Sequence, residues 1–359
     1  MRRLFLIRHG LPAFPEAEKM CIGSTDLPLS PTGRLQACLL AETLRGISFG
    51  GVFCSRLERS RRTAEFLDPE PICLPGLEEM HAGDWDGLTF RQIRQRWPAL
   101  FALRGRDPSA AIPGSEPLEG GGARFLAAVE RALSLREGDI AIVAHATVNR
   151  SLICHALGLP PAQGRRFPLD YCAYCVFEYE GGSFSLRPED INLPARPPLT
   201  DALCRDLLEA AGLPENTRRH CEAVSREAVR IGAALNEAGL GLDLPLIRRA
   251  GLLHDLGRGG ASHEALGAAW IRALGYEREA DIIARHHELG SLAPDEAAAV
   301  YLADKTVKED LIIPLEARFA ASLEKCSGGE ARAAWQRRLG EALRLRDMIN
   351  KICGKEIIA

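Results

Sequence analysis

The sequence predicts an α/β domain followed by an all-α domain, and three observations carry that reading. Short apolar runs at 3–7, 50–55 and 139–144 are suited to buried strands, and helical patterns lie between them. A proline-rich stretch without periodicity, 193–200, interrupts the chain. Beyond it no convincing alternating strand occurs and long helical patterns run to the end. A length of 359 residues agrees, because domains average roughly 150 residues. The expected organisation is an α/β domain at 1–192, a linker at 193–200 and a helical domain at 201–359.

Composition narrows the classes. Hydrophobic residues make up 46% and charged residues 26%, the balance of a globular protein with ample core. The net charge of -3 gives no reason to expect nucleic acid, whose usual footprint is a basic patch. No run approaches the ~18 apolar residues of a membrane span. Arg2-Arg3 followed by five apolar residues is too short for a signal peptide. Eleven cysteines, odd in number and scattered, point to reduced thiols and a cytoplasmic location. The Cys172–Cys175 pair falls in a predicted strand, where that spacing sends the side chains to opposite faces, and is given no metal or redox role.

The first strand ends in Arg8-His9-Gly10, placing an imidazole and a guanidinium at the carboxyl edge of a sheet, where α/β proteins bind ligands. Gly10 is expected to allow a sharp turn there. Ser30 or Thr32 is expected to cap a helix at 34–45. The strand at 50–55 runs into Arg56, Arg59, Arg61 and Arg62 at a helix start, an arrangement suited to an anion. The segment 77–87 is expected to fold as a loop over a cleft. Gly120-Gly121-Gly122 is expected as a loop before a helix at 123–135. The strand at 139–144 ends in His145, so two strands each deliver a histidine at the same edge.

These residues resemble the histidine phosphatase (phosphoglycerate-mutase-like) superfamily. The likeness rests on Arg8-His9-Gly10, on Ser55-x-Leu57-x-Arg59 with Thr63-Ala64-Glu65, on Glu79 with Gly83, Trp85 and Gly87, and on Val143-x-His145 with Arg150. It runs from Met1 to about Asn192 and implies a three-layer sandwich. The short stretch between Glu79 and His145 is similar to the phosphatase branch, such as α-ribazole phosphatase, more than to the mutases. Leu11-Pro12 and Ala146-Thr147-Val148-Asn149 depart from the family's habit at the pocket rim. The resemblance implies that His9 is a nucleophile for a phosphoryl group, that Arg8, Arg59 and His145 hold its oxygens, and that Glu79 serves as acid and base. This chemistry is mostly positioning and charge stabilisation and calls for no cofactor in that domain.

The helical half holds His220, His254, His263, His286 and His287, five of the nine histidines. His220 shares a helical face with Val224, Ala228, Ile231 and Leu235. His254 ends an apolar helix stopped by Gly257, His263 starts another, His286 follows Ile282 by four, and Asp304 follows Val300 by four. Several inward polar residues, with His254-Asp255 adjacent, are hard to bury without a cation. Nitrogen and carboxylate donors suit Zn, Fe, Mn or Ni, with Mg less favoured.

This set resembles the HD superfamily of metal-dependent phosphohydrolases, over about 217–308. The likeness implies that His220, His254, Asp255 and Asp304 bind one metal, with His263 and His286 holding a second. His286 is preferred to His287 because it matches the single histidine in relatives with the Leu-Ala-Asp-Lys segment. Arg258 and Lys305 are candidate phosphate contacts beside an equal solvated reading. The helices after Lys308 are expected to pack without chemistry. The expected protein is a bifunctional phosphohydrolase acting on a small phosphorylated metabolite or nucleotide. The alternative is a phosphomutase-type first domain with a non-catalytic regulatory HD domain.

Overall fold

Leu4, Phe5, Leu6 and Ile7 are buried on both faces of strand β1 (Arg2–Arg8), which places β1 inside a sheet. The computed structural model describes residues 1–15, 18–260, 262–323 and 328–359. They divide into two units, Met1–Pro197 and Pro198–Ala359.

The first unit runs β1, β2 (Met20–Cys21), α1 (Pro31–Leu44), β3 (Gly51–Cys54), α2 (Glu58–Ala64), β4 (Ile72–Cys73), β5 (Leu88–Thr89), α3 (Phe90–Arg96), α4 (Pro98–Arg106), α5 (Leu118–Leu135), β6 (Ile140–Ala144), α6 (Ala146–Ala156), β7 (Tyr174–Glu180) and β8 (Ser183–Ser185). The main sheet has the order β4-β3-β6-β1-β7-β8. Strands β4, β3, β6 and β1 are parallel, and β7 and β8 are antiparallel. β2 and β5 form a separate ribbon.

Period-two alternation sends Leu4, Leu6, Ile140 and Ile142 to one face, against Phe125 and Val129 of α5 and Leu152 of α6. Phe5, Ile7, Ala141 and Val143 face the other way, against Ala37, Leu40 and Leu44 of α1. The result is a three-layer sandwich. Ser30 caps α1 by accepting the Gly33 N–H at 3.0 Å, with Pro31 in the first turn.

Three local expectations are corrected. α5 begins at Leu118, so the three glycines lie inside a helix. A Cβ on Gly121 would lie 2.8 Å from Met80, so the glycine allows the helix to approach the 77–87 segment closely. Cys172 precedes β7 in a left-handed conformation with φ of 57°, so it is not a strand residue. Gly10 has no positive φ; a Cβ there would lie 2.5 Å from the Gly33 carbonyl oxygen, so close approach to the start of α1 is what demands glycine.

The second unit contains α7 (Asp201–Ala210), α8 (Glu215–Glu237), α9 (Leu244–Leu253), α10 (His263–Ala273), α11 (Glu277–Arg285), α12 (Glu296–Thr306), β9 (Val307–Lys308), β10 (Leu311–Ile312), α13 (Leu315–Leu323) and α14 (Gly329–Cys353). It is mostly helical. The β9–β10 pair is too short to leave an alternating pattern in the sequence. Residues 297–303 of α12 are all buried, which makes α12 the central helix. Val224, Ala228, Ile231 and Leu235 of α8, Ile247 and Ala250 of α9, and Leu345 and Ile349 of α14 complete the core. No helix among the described residues is long and apolar enough to cross a membrane. The ten described cysteines are free.

Candidate active sites

Because β3, β6 and β1 are parallel neighbours, Ser55, His145 and His9 emerge from one sheet edge. The rings of His9 and His145 are 5.0 Å apart. His9 Nδ1 donates to the Gly10 carbonyl at 2.7 Å. A carbonyl only accepts, so the proton sits on Nδ1 and Nε2 keeps its lone pair. His145 Nε2 bonds Ser55 Oγ at 2.7 Å. Burial, then the Arg59 and Arg8 guanidiniums, hold His9 well below the ordinary histidine range. Burial and Arg59 do the same to His145.

Of the arginines around α2, only Arg59 turns inward, and it is fully buried. Arg56, Arg61 and Arg62 form ion pairs with Glu78, Glu65 and Glu58 at the surface. Arg59 donates to the carbonyls of Thr25 (2.8 Å) and Gly23 (3.0 Å). Asp86 holds the same loop from the other side, accepting the N–H groups of Gly23, Ser24 and Thr25. The Arg8 guanidinium lies 3.7 Å above the Tyr171 ring and donates to Leu169 O at 2.5 Å. Arg8 Nε, Arg59 Nε and His145 Nδ1 are buried without a hydrogen-bond partner. Glu79 accepts the N–H groups of Thr147 (2.9 Å) and Val148 (3.2 Å) at the start of α6. His9, Arg8, Arg59, Glu79 and His145 therefore surround one end of the sheet. Ser55, Asp86 and Tyr171 join them. Sequence reading quoted Ser55 in a motif and gave none of the three a role; Asp86 was signalled only by its place beside Trp85 and Gly87, and Tyr171 by nothing.

In the second unit each buried histidine is turned by a backbone bond. The Nδ1 atoms of His220, His254 and His286 donate to the carbonyls of Glu309 (2.9 Å), Gly251 (2.8 Å) and Ile283 (2.7 Å). All three Nε2 atoms are thereby turned toward the cluster, where those of His254 and His286 have no hydrogen-bond partner and that of His220 reaches Asp304. Glu309 occupies a left-handed position, φ 58°, in the β9–β10 turn. His220 Nε2 lies 3.2 Å from Asp304 Oδ1, and His254 Nε2 lies 3.6 Å from the same oxygen and 3.7 Å from Asp255. His263 Nε2 is 3.2 Å from the other Asp255 oxygen. Among the described residues, two groups have ligand atoms within 4.8 Å of one another: His220, His254 and Asp304, and His263, His286 and His287.

His287, passed over from sequence, thus stands with His286. Helix α11 stops at Arg285, and the turn after it aims both rings at His263. Asp255 is held below the carboxylate range: burial alone would raise it, but His254 and His263 outweigh burial. Asp304 is lowered against burial by Lys305, His220 and His254. His254 is raised despite its burial, chiefly by Asp255.

Arg258 Nη1 pairs with Asp255 Oδ2 at 2.5 Å, and Lys305 Nζ with Asp304 Oδ2 at 2.6 Å. A cavity of about 360 Å³ opens beside the cluster. His220, Asp255, His263, His287 and Asp304 form one side, with Arg258 and Lys305. Arg318, Phe319 and Ser322 of α13 and Trp335 and Arg338 of α14 form the other. The expectation that these helices only pack is corrected. Trp335 is fixed by its Nε1–H, which donates to Phe319 O at 3.2 Å and Ser322 Oγ at 3.1 Å.

The chain belongs to the histidine phosphatase superfamily: the family model of the Histidine phosphatase superfamily (branch 1) matches residues 4–190. An HD domain follows, matched over residues 217–308. The probable phosphoglycerate mutase GpmB of Photorhabdus laumondii is 31% identical over 190 residues, covering 50% of this chain and 86% of that protein. The adenosylcobalamin/α-ribazole phosphatase of Escherichia coli is 31% identical over 193 residues, covering 52% of this chain and 94% of that protein. Among solved structures, Bacillus stearothermophilus YhfR superposes with a TM-score of 0.50 at 28% identity, covering 53% of this chain and 98% of that chain.

Proposed function

We propose that the first unit hydrolyses a small phosphomonoester through a phosphohistidine on His9, in the manner of the α-ribazole-phosphatase branch. The observation that carries this reading is the set of buried, unpartnered donors on Arg8, Arg59 and His145 around a histidine with a free Nε2 lone pair. An unpaired buried donor costs ~1–3 kcal/mol, and a phosphate oxygen would satisfy each one. His9 Nε2 forms the bond to phosphorus as the bond to the leaving oxygen breaks. Glu79, protonated, gives its proton to that oxygen. In the second step Glu79 takes a proton from water, water oxygen bonds to phosphorus, and the phosphorus–nitrogen bond breaks to restore His9. Water as acceptor gives a phosphatase; the rival is a mutase, which would return the phosphoryl group to the substrate.

We propose that the second unit is a metal-dependent phosphohydrolase. The donors fit a divalent metal: His254 and His286 each present a buried Nε2 without a partner, and two ionised carboxylates stand among imidazoles. His220, His254, Asp255 and Asp304 would hold one ion, and His263 and His286 a second, with His287 within reach of that second ion. Zn, Fe, Mn, Ni or Mg would supply a hydroxide at neutral pH and neutralise phosphate charge. Arg258 and Lys305 orient the two carboxylates and border the cavity that would receive the phosphate. The small substrate would be a phosphorylated metabolite or nucleotide, and the location cytoplasmic.

The test is to assay His9→Ala and Asp255→Ala against one panel of phosphate esters. Each variant should lose a different set of substrates. Equal loss on the same substrate in both would defeat two independent sites.

A further inference from the structure

Cys54 and Cys73 end two neighbouring parallel strands, β3 and β4, and are partners in the register that joins them. Their sulfurs are 3.5 Å apart. Backbones of paired strands lie roughly 4.8 Å apart, inside the Cα separation that a disulfide spans. A bond of about 2.0 Å therefore needs the sulfurs to approach by only about 1.5 Å, with the strands already in place. The Cys-x-x-Cys pair at 172 and 175 is split instead: Cys172 packs on the α1 face of the sheet and Cys175 on the α5 face.

The two thiols differ in access. Cys54 is fully buried, and Cys73 is exposed on β4, the edge strand of the sheet. Burial, and then the Cys73 sulfur beside it, push the Cys54 thiol up and keep it protonated. An oxidant in solvent therefore meets Cys73 first, and Cys54 stands where the thiol that completes a disulfide must stand.

Both strands run on into the His9 centre. Ser55 follows Cys54, and its Oγ bonds His145 Nε2 at 2.7 Å. On the other side Leu74 follows Cys73 and donates its N–H to the Cys54 carbonyl at 3.0 Å. Leu74 and Leu77 are buried, and Glu79 stands two residues after Leu77. Interiors are close-packed, so drawing the sulfurs together displaces backbone on one side or the other. Movement of β3 disturbs Ser55 and with it His145. Movement of β4 disturbs Glu79, which accepts the N–H of Thr147, two residues after His145.

We propose that Cys54 and Cys73 form a reversible disulfide when hydrogen peroxide attacks, and that this bond lowers the phosphatase activity of the first unit. The Cys73 thiolate attacks one peroxide oxygen and the O–O bond breaks. The departing hydroxide takes up the proton that the Cys73 thiol gave off and leaves as water, and Cys73 becomes a sulfenic acid. The Cys54 sulfur then bonds to the Cys73 sulfur as the S–O bond breaks, and the Cys54 proton leaves with that oxygen as a second water. The thiol pair has given two electrons to one peroxide. Exposure of Cys73 leaves the bond open to a thiol reductant. The effect on activity rests on the reading of His9, His145 and Glu79 as a phosphatase centre; the bond itself does not.

The test treats the intact chain with hydrogen peroxide, blocks free thiols, and maps the digest by mass spectrometry. Peptides joined through Cys54 and Cys73 should appear. In the same sample, phosphomonoester hydrolysis should fall by roughly fivefold or more and return with dithiothreitol. Cys73→Ser should form no such link, should match the untreated chain within about twofold, and should keep that activity under peroxide. Cys54→Ala should show a sulfenic acid on Cys73, trapped by dimedone. Cys73 is exposed, so its variant should fold even where the Cys54 variant does not. Absence of the link, a link with undiminished hydrolysis, or an equal loss under peroxide in Cys73→Ser would overturn the proposal. If the chain hydrolyses no phosphomonoester, the phosphatase reading fails separately. Histidine NMR then decides: a His145 ring signal that moves on oxidation and returns on reduction sustains the proposal, and one that stays in place removes it.

Discussion

The two units use histidine in opposite surroundings. In the first, His9 and His145 sit among guanidiniums and both are driven toward the neutral form. In the second, His220, His254 and His263 sit against Asp255 and Asp304, and the carboxylates stay ionised in spite of burial. One setting is complementary to an anion, the other to a cation. The lesson is that the neighbours of an imidazole, rather than its burial, decide what it can bind. In both units an Nδ1–H is spent on a backbone carbonyl, which directs Nε2 to the site.

The largest expected effect breaks the first setting. His9→Ala should reduce phosphomonoester hydrolysis by roughly 10³-fold or more, since no second nucleophile shares its position. Steady-state release of phosphate at saturating ester measures this. In the second setting, Asp255→Ala should cut the metal retained after dialysis against a chelator, read by elemental analysis, by roughly 10–100-fold. Hydrolysis that depends on His9 should be unaffected by that change.

Arg59→Met sharpens the comparison further. It removes a buried cation and leaves the Gly23 and Thr25 carbonyls without their donors. A stability loss of about 2–4 kcal/mol in urea unfolding should accompany the loss of phosphate affinity. Asp86→Asn should perturb the same loop less, because an amide oxygen can still accept part of its three N–H bonds.

The smallest effect is one of pH. His9 and His145 have folded values below the ordinary 6.5, so between those lowered values and 6.5 the unfolded chain binds more protons. Stability of the first unit should therefore fall as pH drops through about 6.5, and recover above it. Melting followed from pH 7.5 to 5 should show Tm declining by a few degrees, and a His145→Asn variant should show a weaker decline.

Much of this was legible beforehand. Strands β1 and β6 are buried on both faces, so they stand out as unbroken apolar runs, and the histidines that end them are visible at once. His220, His254 and Asp304 were legible because helical spacing ties each to an apolar face. What escaped was set by contacts between distant segments. Ser55 reaches His145 only because β3 and β6 are neighbours. His287 joins the second group because α11 ends one residue before His286. Phe319 and Trp335 line the cavity of the second unit because α13 and α14 fold back over the cluster, and their sequence shows only ordinary amphipathic helices. The triple glycine carried a turn signal, while in the helix Gly121 and Gly122 allow close packing of α5 on Met80 and Ser151 and Gly120 faces open space.

The central claim is that His9 takes the phosphoryl group. It can be tested by mixing the chain with a ³²P-labelled phosphomonoester, quenching in alkali to preserve phosphohistidine, and mapping the label by peptide mass spectrometry. The account predicts label on the peptide containing His9, none in His9→Ala, and loss of the label on acid treatment. Turnover of the ester with no labelled peptide, or with acid-stable label on another residue, would contradict it.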